Sequence, residues 1–204
     1  MDVDGRVLRL DSWSKIVSGG LRMGFATAAP DLIRVLCIAN QSSLIHSSGV
    51  SQLVLLALLR RWGVGDSEST DPTGLGELSS HITRIQGVYR QQRDAMVCAV
   101  KRHLRRRPWD GTAMEDHDDC DDLLVSFKLP QAGMFLWMHC HGVTDAQPIA
   151  TAAARAGLLF IHGAAFFASG GPRPYIRVSF SLVSPSQMDE GMRILGEILR
   201  NGST

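Results

Sequence analysis

Between Asp11 and Arg22 the chain reads Asp11-Ser12-Trp13-Ser14-Lys15-Ile16-Val17-Ser18-Gly19-Gly20-Leu21-Arg22. The hydroxyls of Ser12 and Ser14 and the guanidinium of Arg22 are donors suited to a phosphate. Lys15 stands among them with an amine able to condense with an aldehyde. A cofactor that carries both a phosphate and an aldehyde answers to all of these groups, and pyridoxal phosphate is such a molecule. The plainer reading of the same residues is a solvated lysine in a glycine-containing loop, and the segment alone leaves both open.

A second candidate lies far along the chain, at Arg177 in Tyr175-Ile176-Arg177-Val178-Ser179-Phe180-Ser181. An arginine on a strand can hold a carboxylate by two parallel hydrogen bonds, which a lysine cannot copy, although a structural ion pair would also place it there. His139 and His141 alternate on one strand face with Cys140 opposite. Two histidines fall short of a metal site without a third ligand. The acidic run Glu115-Asp116-His117-Asp118-Asp119-Cys120-Asp121-Asp122 lacks the spaced ligands and central glycine of a calcium loop, so no metal is expected.

The elements around these residues follow from periodicity. Asp4-Gly5 marks a turn, and Arg6 to Leu10 alternates as a strand leading into the Lys15 loop; Arg22 to Thr27 reads as a second short strand. Pro30 opens a helix to about Ala39, and a second helix is predicted from Ser51 to Trp62 with Leu53, Leu56, Leu58 and Leu59 as its apolar face. After a break from Gly63 to Pro72, the spacing predicts a long amphipathic helix from Leu75 to Leu104, followed by an exposed loop. The texture then changes to paired strands, one from Leu123 to Phe127 and one from Met134 to Met138. Next come a helix from Ala146 to Ala156, strands from Leu158 to Ile161 and from Tyr175 to Phe180, and a final helix opened by Ser184-Pro185 and ending near Leu199.

Composition narrows the function classes. A chain of 204 residues with 45% hydrophobic and 20% charged content, at a mean hydropathy of +0.02, fits one globular domain or part of a larger one. Its net charge of +1 argues against nucleic acid or an anionic membrane as partner and favours small molecules. The basic run Lys101 to Arg107 and the acidic run Glu115 to Asp122 read as a solvated helix end and loop. No apolar run approaches the ~20 residues of a membrane helix. Four cysteines without paired spacing suggest reduced thiols, and a cytoplasmic protein is expected, with the mitochondrion as the alternative.

Several segments, in order, resemble the fold-type I aminotransferases that depend on pyridoxal phosphate. They are Ser12-Trp13-Ser14-Lys15 followed by Gly20-Leu21-Arg22-Met23-Gly24, then Gly133-Met134-Phe135-Leu136-Trp137. Gly157-Leu158-Leu159-Phe160-Ile161 with Gly163 and Phe166-Phe167 follows, and then Tyr175 to Ser181. The similarity is to class I/II, in the branch of kynurenine/2-aminoadipate and fungal aromatic aminotransferases. It implies an α/β fold of the aspartate aminotransferase type, here its C-terminal part only. Residues 1–104 would be the remainder of the cofactor-binding large domain with a long connecting helix, 105–122 an exposed loop, and 123–204 a small α+β domain.

The resemblance also implies roles. Lys15 would carry the cofactor and shuttle the proton at the substrate α-carbon, Ser12, Ser14 and Arg22 would hold the cofactor phosphate, Arg177 would bind the substrate α-carboxylate, and Phe135 would stand near the substrate side chain. An amino acid and a 2-oxo acid would be the substrates, and the intact protein a homodimer. A full-length member has a long stretch before its lysine loop, whereas here Lys15 lies fourteen residues after Met1. In the family that stretch supplies the aspartate for the ring nitrogen, and Asp2, Asp4 and Asp11 do not stand in its place. A truncated, catalytically impaired remnant that still binds cofactor, or a non-enzymatic interaction module, is therefore the alternative expectation.

Overall fold

A computed structural model describes residues 2–65, 72–106 and 122–201. The reading of 105–122 as an exposed loop falls almost wholly outside them, as do Cys120 and the acidic run up to residue 121. The chain divides into two compact units, Met1–Gln86 and Gly87–Thr204, with the division inside one long helix.

In the first unit, β1 (Arg9–Ser12) and β2 (Gly24–Thr27) form an antiparallel pair, with Arg9 opposite Thr27 and Ser12 opposite Gly24. The Lys15 segment joins them. β1 starts later than the alternation from Arg6 suggests, and the reason is local. The Arg6 and Val7 amides donate to the Asp2 carboxylate at 3.1 and 3.0 Å, so an acidic turn takes the donors that a ladder would have used. At Gly24 a Cβ would stand 2.6 Å from the Asp11 carbonyl oxygen, so the strands close only over a glycine.

Two helices follow. α1 (Pro30–Ser43) begins on the proline, whose missing N–H costs nothing in a first turn, and runs past the expected end at Ala39. α2 (Gly49–Arg61) is capped by Ser48, whose hydroxyl accepts from the Ser51 amide at 3.4 Å. The apolar face predicted for α2 is corrected here: Leu53 and Leu56 are exposed and Leu55 is buried. Periodicity marks a helix face, but burying it takes a second layer, and a two-stranded hairpin offers little cover. Leu55 and Leu78 are the only buried apolar side chains among this unit's described residues. α3 (Glu77–His103) opens just after Gly76, which has φ +52 and where a Cβ would meet the Trp62 carbonyl oxygen at 2.0 Å.

The second unit holds a four-stranded antiparallel sheet in the order β3-β4-β6-β5. Its strands are β3 (Val125–Phe127), β4 (Phe135–Cys140), β5 (Ile161–His162) and β6 (Tyr175–Ser179). Leu136, Met138, Cys140, Ile176 and Val178 point to a buried face, where they meet Met96 and Val100 of α3, Ile149 of α4 (Gln147–Arg155) and a stripe on α5 (Pro185–Asn201). That stripe is Met188, Met192, Leu195 and Leu199, all nearly inaccessible, at the spacing of one helix face.

β5 is shorter and later than the expected Leu158–Ile161. The chain leaves α4 through Gly157 in a left-handed conformation, and the Leu158 amide donates back to Ala153 at 2.9 Å, so this residue belongs to the helix end. The basic run also differs from the solvated helix end predicted for it. Arg102 and His103 both pair with Asp189 of α5, and Arg200 donates to the His103 and Arg105 carbonyls at 3.1 and 3.0 Å. These contacts close the open end of α3, whose last carbonyls have no partner within the helix.

Candidate functional site

The sequence-predicted residues fall into two groups, one in each unit. In the first unit, Trp13–Lys15 is a single 3-10 turn entered from β1. The Ser12 hydroxyl caps it by accepting the Ser14 amide at 3.2 Å, and the Trp13 carbonyl accepts from both Ile16 (3.2 Å) and Val17 (2.8 Å). Because Ser12 acts there as acceptor, its own hydroxyl hydrogen remains available to a ligand. Lys15 is exposed at the end of this turn.

A second 3-10 turn, Gly19–Leu21, is capped in the same way by Ser18, which accepts from Gly20 at 3.2 Å. It ends on Arg22, a non-glycine residue held at φ 51 and ψ 42, with its guanidinium reaching back to the Gly19 carbonyl at 3.4 Å. A left-handed arginine is uncommon and is kept here by the tight closure onto β2. Ser12, Ser14, Lys15 and Arg22 thus all stem from the two turns between β1 and β2. Asp11 is engaged by the Arg9 guanidinium at 2.7 Å.

In the second unit, the outer face of the sheet carries Phe135, Trp137 and His139 from β4 and Tyr175 and Arg177 from β6. Pairing places Trp137 opposite Arg177 and His139 opposite Tyr175, while Ile161 of β5 flanks Arg177 on its other side. Arg177 is half-buried and no described carboxylate pairs with it. Its guanidinium carbon lies over the Phe135 ring at 4.1 Å and over the Phe166 ring at 4.5 Å, both within cation–π range. Phe135 is half-buried, packed against the core and beside Arg177.

Aromatic packing continues from there. Trp137 stacks on Tyr175 with centroids 5.3 Å apart and planes 14° from parallel, and Phe166 meets Trp137 edge-on at 5.3 Å. His139 and His141 do share one face, 5.3 Å apart, with Cys140 buried opposite. Burial, then His139 and Arg106, hold the His141 imidazole below its ordinary range, whereas burial pushes the Cys140 thiol up to about 12.

Residues that sequence reasoning passes over also bear on these groups. His81, in the first turns of α3, lies with one ring nitrogen 2.9 Å from the Ile16 carbonyl oxygen, next to Lys15. Phe166 enters the sequence reading only as part of a motif, with no role. Neither carries a local signal, because each contact joins two different elements, His81 to Ile16 across 65 residues and Phe166 to a strand that follows it.

No protein-family model matches the chain. It is 35% identical to the mitochondrial kynurenine/alpha-aminoadipate aminotransferase of Mus musculus over 202 residues, which is 98% of this chain and 41% of that protein. Among solved structures, the kynurenine aminotransferase of Pyrococcus horikoshii superposes with a TM-score of 0.78 at 26% identity, covering 100% of this chain and 43% of the other. The alpha-aminoadipate aminotransferase of Thermus thermophilus, solved with N-(5'-phosphopyridoxyl)-L-leucine, gives 0.76 at 27% identity over 96% and 42%.

Hairpin, lysine turn and arginine-bearing sheet thus define part of an aspartate aminotransferase-like fold. The chain's relatives in sequence and in structure are fold-type I aminotransferases, named as kynurenine/aminoadipate and aromatic aminotransferases, and the chain is similar to part of them. It spans about two fifths of the length of the curated relatives it matches, with 41% and 42% covered in the mouse and rat proteins.

Proposed function

We propose that this chain takes part in a pyridoxal-phosphate-dependent transamination between an amino acid and a 2-oxo acid, the amino acid being aromatic or of the kynurenine/2-aminoadipate kind. The observation that carries the reading is the Ser12–Arg22 hairpin. One short connection, fixed by two serine caps and a left-handed arginine, presents hydroxyl, amine and guanidinium groups together. That donor set fits a phosphate-bearing aldehyde in kind: neutral and cationic donors for the dianion, and one primary amine for the carbonyl.

When bound, pyridoxal phosphate supplies a sink for the electron pair left at the substrate α-carbon. The rest falls to this chain's own residues. Ser12, Ser14 and Arg22 hold the phosphate, which fixes where the carbonyl end lies relative to Lys15. Lys15 would supply the amine that holds the cofactor's carbonyl end and the base that moves the proton at the α-carbon. Arg177, held between the Phe135 and Phe166 rings by cation–π contacts that use none of its N–H donors, binds the α-carboxylate through those donors.

On this reading residues 1–104 belong to the large domain with its connecting helix, 105–122 to an exposed loop and 123–204 to the small domain, and the intact protein is a homodimer. The test is chemical. Incubation with pyridoxal phosphate, borohydride reduction and peptide mapping should place one label on Lys15. Absence of that label, or equal labelling of a Lys15→Ala chain, would sink the proposal. Labelling without amino-acid-dependent conversion would instead favour an impaired remnant that keeps the cofactor.

A further inference from the structure

We propose that His81 is a positioning residue for the Lys15 turn, acting as a neutral imidazole that donates from Nε2 to the Ile16 carbonyl. This rests on the assignment of Lys15 as the cofactor lysine. Geometry fixes the tautomer. Arg84 Nη2 approaches His81 Nδ1 at 3.0 Å, and a guanidinium can only donate, so Nδ1 must be the accepting, unprotonated nitrogen. The ring hydrogen then sits on Nε2, which lies 2.9 Å from the Ile16 carbonyl oxygen, an acceptor. Both contacts require the same tautomer, and the imidazole is used at both ends.

The ring is also held from the side and from behind. Trp62 packs against it with centroids 4.7 Å apart and planes 31° from parallel. Trp62 is fixed by its own backbone, whose carbonyl accepts the Glu77 amide at 2.8 Å across the close approach that only Gly76 permits. α2, the turn at Gly76 and the first turns of α3 thus set the position of one N–H.

That N–H meets the turn at a useful place. On one side, the Trp13 carbonyl gathers the Ile16 and Val17 amides; on the other, the Ile16 carbonyl is taken by His81. The Ile16–Val17 peptide is therefore bonded at both its ends, its N–H to the Trp13 carbonyl and its carbonyl to His81, and with the Ile16 amide also held by Trp13 the backbone just after Lys15 is pinned. Without the imidazole, the Ile16 carbonyl would be free to rotate toward water and the lysine stem would move with it.

Three versions of the 204-residue chain separate this from simple packing: wild type, His81→Phe and His81→Gln. Phenylalanine keeps a ring against Trp62 but loses the donor, whereas glutamine places an amide N–H near the Nε2 position. Amide hydrogen exchange without cofactor reads the turn directly. In His81→Phe, protection of the Ile16 and Val17 amides should fall about five- to tenfold, the factor of one part-buried hydrogen bond. His81→Gln should stay within about twofold of wild type. Initial labelling of Lys15 by pyridoxal phosphate and borohydride should follow the same order.

Unchanged exchange in His81→Phe, or equal losses in His81→Gln, would overturn the proposal. So would a simultaneous loss of protection across α1, which would make His81 a support of the whole unit rather than of the turn. Failure of wild type to label at Lys15 would refute the cofactor assignment instead, and the exchange comparison would still decide whether His81 holds the turn.

Discussion

Gly163 offers a sharp test of how β6 and its arginine are held. Its backbone dihedrals are ordinary, so nothing in its conformation demands glycine. The demand comes from space. A Cβ there would stand 2.6 Å from the Tyr175 Cβ and 2.9 Å from the Tyr175 carbonyl oxygen. Ordinary carbon contacts lie at about 3.5–4.0 Å, so Gly163→Ala must push the two segments apart by roughly 1 Å. Neither neighbour is the far end of a flexible side chain, and overpacking of this kind costs about 1–3 kcal/mol. For a chain of this size that is a fall in Tm of roughly 2–4 °C for each kcal/mol. Gly87 in α3 is the matched contrast, since nothing lies within 4 Å of a Cβ built there. Gly87→Ala should therefore stabilise by about 0.5–1 kcal/mol through better helix propensity. The same added methyl is thus expected to act with opposite sign at the two glycines in urea unfolding followed by circular dichroism. Gly163→Ala should also move the amide resonances of Tyr175 to Val178. A Gly163→Ala chain as stable as wild type, with those resonances unmoved, would refute the argument.

Two further outcomes follow from the second unit. Burial alone would raise the Asp189 carboxyl, but the hydrogen bonds and charges of His103 and then Arg102 outweigh it and hold the group below its ordinary value of 3.8. A depressed carboxyl contributes stability above its unfolded-state value and loses it as pH falls through the folded one. Asp189→Asn should therefore lower Tm near neutrality by only a few degrees, because the pair is part-exposed, and the gap should narrow as the pH falls below the ordinary carboxyl value of 3.8 in melts across a pH series. Second, native alkylation followed by peptide mass mapping should modify the exposed Cys37 and Cys98 and spare the buried Cys140, whose thiol is pushed up to about 12. Modification of Cys140 as fast as Cys37 would count against its place on the inner face of β4.

The elements are legible where pattern and environment agree. Met134 to Met138 reads as a strand from its aromatic and apolar texture, and β4 buries Leu136, Met138 and Cys140 on one face. α5 shows its helical stripe just as plainly. Legibility fails where a side chain or cap intervenes: Asp2 takes the Arg6 and Val7 amides, and the end of α4 takes Leu158. α2 fails for another reason, because its leucines announce a helix face without saying what covers it. Of the candidate site, the Ser12–Arg22 connection is readable as chemistry because all its groups are local. His81 and Phe166 are not, since a histidine on an amphipathic helix and a phenylalanine ending a 3-10 turn gain meaning only from side chains and carbonyls outside their own segments.

Arg177 shows most clearly what geometry adds to residue type. From sequence, a structural ion pair and a ligand-binding arginine are equal readings, because both need a guanidinium on a strand. The two differ in what meets the cation. An ion-pair partner would occupy the in-plane N–H donors and leave the guanidinium faces free for packing. Here the contacts are to the Phe135 and Phe166 rings, at 4.1 and 4.5 Å, and no described carboxylate takes the edge. Cation–π contacts engage the charge without consuming a hydrogen bond, so they leave the N–H donors to a ligand. Such an arginine is fixed before any ligand arrives, and a carboxylate meeting it has little side-chain disorder to overcome. Stabilising the protein by ion pairing would have called for a carboxylate on those donors as well.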